Sequence, residues 1–205
     1  MYRNLLVCGL ILLVFALGGP IATATGPAAA SDVRWETDYR HAMQLADQQN
    51  KMLLIFFVDS ANPLCERFEK ETLGDATVRA KLAQYICVRL PVDATVENEG
   101  QRQTLLQADS LKEMEGQPGI AIADFTRRDK SLHGLVVSTF PLTTSLYYEP
   151  DKMLTILDLP CGTLTQRTLI YAVRIHPEKP ASAVGQPDSR LASAAESHAR
   201  YQASI

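Results

Sequence analysis

No excess of positive charge runs through this chain. Its 20 Lys and Arg stand against 23 Asp and Glu, a net charge of -3 with a pI near 5.8. A basic footprint for nucleic acid is therefore missing, and Arg127-Arg128 is too small a pair to supply one. Histidine is sparse and scattered: His41, His133, His176 and His198 keep no metal-ligand spacing to one another or to cysteine. No metal or other cofactor is expected. Cysteine is also scarce, at positions 8, 65, 87 and 161, and no two lie at C-x-x-C spacing. Long apolar runs are missing too. The longest, Leu5 to Leu17, falls short of the ~20 residues that span a bilayer. No internal repeat is visible.

That apolar run has the form of an export signal. Arg3 opens it, Gly18-Gly19-Pro20 breaks it, and Ala22-Thr-Ala24 and Ala28-Ala-Ala30 offer cleavage sites. Residues 1–30 are read as signal and leader, 31–177 as one domain, and 178–205 as a Pro/Ala/Ser-rich linker with a helical tail. The mature protein is expected outside the cytoplasm, periplasmic or extracellular, with no integral span after cleavage; an uncleaved signal tethering it to the membrane is the alternative. Cys8 lies inside the apolar run. The other three cysteines then reach a compartment that permits disulfides, and their number is odd. The tail ends at Ile205 without cap or breaker, which suggests a segment of something longer.

The most informative stretch is Lys51 to Phe68. Leu53 to Val58 is continuously apolar, as a strand covered on both faces requires. Asn62 can cap the helix that follows, with Pro63 as its first residue and Cys65 in its first turn. The helix dipole there favours a thiolate, while Asp59, Glu66 and Glu69 oppose one. Around this stretch the pattern predicts a helix from Thr37 to Asn50 and another after Asp75. Strands follow at Ile86–Val92, Ile120–Phe125 and Leu132–Thr139. Between them, Glu97–Gln103 reads as loop or helix start and Leu105–Met114 as a helix. Short helices run from Glu149 to Leu157 and from Thr163 or Thr165 to Arg174. The order is α/β with a mixed sheet, and the crossover from Leu53 to Val92 makes its two strands parallel. Asp124 reads as a solvated or ion-paired strand end, His133 as lacking a partner at catalytic spacing, and Tyr147-Tyr148 as packing.

Three landmarks between Trp35 and Pro177 resemble the thioredoxin-like domains of exported bacterial proteins. They are Trp35 with a helix and Asn50-Lys51 ahead of the strand, the run Phe68-Glu-Lys-Glu-Thr-Leu-Gly-Asp-Ala-Thr-Val78, and Gln117-Pro118 ahead of Gly119. The resemblance implies a thioredoxin-like fold with a central mixed sheet of four to five strands flanked by helices. It sets Asn62-Pro-Leu-Cys65 over the redox motif, with Asn62 at the first, attacking cysteine and Cys65 at the resolving one. Losing the attacking thiol removes ordinary dithiol exchange. Three readings of Cys65 stay open: an inert buried side chain, a disulfide to Cys87 or Cys161, or a single thiol forming mixed disulfides. The resemblance further implies a cis Pro118, whose loop, with Asn62, Pro63 and Gln117, would dock an extended peptide. The functional expectation is an exported binding module for a protein or peptide partner. A thiol-disulfide oxidoreductase using Cys65, and a structural spacer within a larger envelope protein, are the alternatives.

Overall fold

The computed structural model describes residues 33–98, 100–181 and 188–204. The signal segment and most of the Pro177–Pro187 linker lie outside the described residues.

The fold grows outward from β2 (Met52–Val58), whose apolar run leaves no polar face to turn to water. Its side chains alternate between two cores. Leu54, Phe56 and Val58 face one, and Leu53, Ile55 and Phe57 face the other. Beside β2 lies β3 (Ile86–Pro91), parallel to it, followed by the two-residue edge strand β1 (Trp35–Glu36). On the other side β6 (Gly119–Asp124) runs antiparallel to β2, and β7 (Val136–Pro141) antiparallel to β6. The five-stranded sheet thus has the order β1-β3-β2-β6-β7. Strands β4 (Thr95–Asn98) and β5 (Gln101–Thr104) form a separate hairpin.

Helix α1 (Tyr39–Gln49) covers one face through Ala42 and Ala46. Asp38 caps its start and Asn50, in left-handed conformation, ends it. The other face is covered by α2 (Pro63–Phe68), α3 (Ala76–Leu82), α4 (Pro150–Leu157) and α5 (Leu164–Ile175). Thr163 opens α5 with a capping box closed by Gln166. Helix α6 (Ser189–Ala203) follows the linker. No described helix is long and apolar enough to cross a membrane.

Four local expectations are corrected. Residues 95–104 form the hairpin, because alternating Val96 packs inward while its neighbours stay exposed. Residues 105–114 form two 3-10 turns, Leu105–Gln107 and Asp109–Met114, that bury Leu105, Leu106, Leu111 and Met114 without a continuous helix. β7 begins at Val136, since Lys130–Leu132 closes a 3-10 turn capped by Asp129. Between α2 and α3 the chain makes a π-helical turn, Glu69–Leu73. That turn crowds Gly74 so closely that any side chain there would collide with the Lys70 carbonyl.

Candidate functional site

Strand β2 delivers the chain to the motif at its C-terminal end. Asn62 adopts extended backbone and its Oδ1 accepts the Leu64 amide at 3.0 Å, so α2 starts where the sequence predicts. Pro63 occupies the first helical position and is exposed. Cys65 points inward, 1% exposed, in the core shared by Phe68 and Phe56. Burial pushes its thiol above the ordinary range, and the carboxylates of Asp59 and Glu69 add to this. A hydrogen bond from the Asp59 backbone and the Arg89 charge act the other way without prevailing.

Gln117 and Pro118 arrive at the same end, because Gly119 pairs with Phe57 one residue from the end of β2. The fold therefore brings all five predicted site residues, Asn62, Pro63, Cys65, Gln117 and Pro118, to one edge of the molecule. The proline loop itself is corrected in two respects. Its peptide bond is trans: no cis bond occurs among the described residues. Left-handed Glu115 and Gly116 reverse the chain, and Gly119 at φ 143 lets it pass close to β7, so no cis bond is needed. The Gln117 amide is also engaged, donating to the Met114 carbonyl at 2.8 Å, and the Pro118 carbonyl accepts from Leu142 at 2.7 Å. Both groups serve the turn and the adjoining loop.

That loop, 142–149, is the part of the site with no signal in the sequence. It leaves Pro118 at Leu142 and returns to α2, where Tyr147 stands edge-on to Phe68 and its ring receives the Arg67 guanidinium at 4.5 Å. Arg67 is held in place by Glu71 at 2.7 Å. Thr72 donates from the π-helical turn to the Tyr148 carbonyl at 2.9 Å. These partners lie some 76 to 80 residues apart in the chain, beyond the reach of periodicity or capping rules.

The disulfide reading of Cys65 is corrected: Cys65, Cys87 and Cys161 are all free. The sheet register gives the reason. Cys87 pairs with Leu54, four residues before the end of β2, and Cys161 lies by Asp124, opposite Met52 at its start. At ~3.3 Å per residue the ends of β2 are about 20 Å apart, which sets Cys161 far beyond disulfide reach of Cys65; Cys87, inside the sheet, is likewise free.

Around Cys161 lies a second polar cluster at that opposite end. Asp124 is fully buried; its Oδ1 accepts the amide and hydroxyl of Thr126 at 2.7 and 2.6 Å, and the Cys161 thiol donates to Oδ2 at 3.6 Å. It is therefore no solvated strand end. Arg167, 0% exposed, donates to Ser138 and to the carbonyls of Leu159 and Pro160. His133 lies on the surface 3.3 Å from Asp47, with Phe125 edge-on to its ring. Among the described residues no group of three or more His, Cys, Asp or Glu could hold a metal ion.

Comparison with known proteins agrees with this architecture. Residues 34–124, the span from β1 to the end of β6, match a family model described as thioredoxin-like. The domain is thioredoxin-like, and the five-stranded mixed sheet between helices is that fold. No curated protein matches the chain.

Proposed function

We propose that this thioredoxin-like domain is a binding module for a protein or peptide segment and does not perform dithiol exchange. One observation supports the reading: Asn62, which the resemblance sets at the attacking thiol's position, spends its side chain on capping α2, and the nearby Cys65 is 1% exposed. A thiol so placed, with burial and two carboxylates favouring its protonated form, is a poor nucleophile at neutral pH. What stays open to a partner is the rim of the site, with Pro63, Gln117 and the exposed residues 144–146 of the adjoining loop. The reading includes export of the mature chain, free or tethered by its apolar N-terminal segment.

Insulin reduction in the presence of dithiothreitol tests this. The full chain is expected to accelerate precipitation no more than its Cys65→Ala and Cys65→Ser variants do. Turnover that disappears in both variants would instead assign the oxidoreductase alternative.

A further inference from the structure

The exposed rim of the site is apolar at its centre and acidic around it. Pro63 is exposed and Leu64 half-buried in the first turn of α2. In the loop that packs on the same helix through Tyr147, Leu146 is 47% exposed. It is held outward by a tight turn in which its amide meets the Thr143 hydroxyl at 3.1 Å and its carbonyl accepts the Thr143 amide at 3.1 Å. Next to it, Tyr147 fixes the loop against α2. The carboxylates at this end of the sheet without a cationic partner among the described residues include Asp59 after β2, Glu66 in α2, Asp93 after β3 and Glu115 in the proline-loop turn; Asp59 is half-buried and the others exposed. Against them stand Arg67, already committed to Glu71 and Tyr147, Arg89, already committed to Glu69, and Lys112.

We infer that this face receives an extended protein segment carrying lysine or arginine on both sides of an apolar residue. The inference rests on the binding-module reading and narrows its partner. The apolar residue covers Pro63, Leu64 and Leu146, and the flanking cations meet Asp59, Glu66, Asp93 and Glu115. An acidic segment would meet four like charges, and such repulsion discriminates between partners. Strand pairing at Gln117 is not required, which suits an amide already used by the turn.

The test is fluorescence anisotropy with the full chain and short fluorescein-labelled peptides that share a central leucine flanked by lysines, serines or glutamates. The lysine peptide is expected to bind, and its affinity to fall as salt rises past ~0.1 M, where the screening length drops to ~10 Å. Glu66→Gln and Asp93→Asn are each expected to weaken it by up to about fivefold, and Leu146→Ser to weaken all binding. Equal binding of the serine peptide, with no salt dependence, overturns the charge preference and leaves the binding-module reading standing. Absence of binding by every peptide overturns the binding-module reading as well.

Discussion

Replacing Asn62 by cysteine introduces a second sulfur three residues before Cys65 and changes two quantities that the structure sets separately. The first is the helix cap. Asn62 Oδ1 accepts the Leu64 amide at 3.0 Å, and loss of such a cap costs about 1 kcal/mol. In a chain of this size that lowers the thermal midpoint by roughly 2–4 °C, a loss that Asn62→Ala should reproduce. The second is sulfur geometry. Positions 62 and 65 are the N-cap and third residue of one helix, joined by the backbone bond from the Cys65 amide to the Asn62 carbonyl at 3.0 Å. Their α-carbons therefore fall within the roughly 4.4–6.8 Å that a disulfide needs. In glutathione redox buffers, with thiols trapped by a maleimide and read by mass, Asn62→Cys is expected to form an internal disulfide with Cys65. The parent chain and Asn62→Ala are expected to form none there. If Asn62→Cys stays reduced under oxidising buffer while folded, position 62 is not the site of the attacking thiol, and the reasoning from the motif fails.

Other consequences are open to denaturant titration. Gly74→Ala should destabilise the chain by about 1–3 kcal/mol, because the new methyl group collides with the Lys70 carbonyl in the π-helical turn. Arg167→Met should cost about 2–4 kcal/mol: it strips the carbonyls of Leu159 and Pro160 and the Ser138 hydroxyl of their donor, an effect partly offset by removing a buried charge. Stability should also fall in alkali. Burial raises Cys87 from 9.0, and Tyr85 and Tyr171 from 10.0, each to about 12. Since the folded values lie above the unfolded ones, the stabilisation is complete below pH 9 and is lost as pH rises toward 12. A midpoint in urea that stays constant from pH 8 to about pH 11 would contradict that burial.

How much of this was legible in the sequence follows from the range of the forces involved. The apolar run at β2, the caps at Asn62 and Thr163, and the parallel crossover are local features or follow from chain handedness, and they appear where the pattern places them. The π-helical turn was hidden because its residues, Glu69 to Leu73, read as ordinary helix; only the glycine after them hinted at crowding. The hairpin at 95–104 was obscured by polar residues on its exposed positions. Pro118 shows the limit of resemblance. A matching loop arrived in the matching place, but Glu115 and Gly116 turned the chain with a trans bond. Leu146, Tyr147 and the buried Asp124 and Arg167 took their roles from distant contacts, which no local rule encodes.

The central claim is that Cys65 belongs to the core and is not a reactive group. Native-state alkylation by iodoacetamide at neutral pH, followed residue by residue with mass spectrometry, tests it most directly. Cys161, the half-buried thiol, is expected to react first, with Cys65 and Cys87 modified only at the rate at which the fold opens. Modification of Cys65 ahead of Cys161, at a rate unaffected by changes in global stability, would contradict the account.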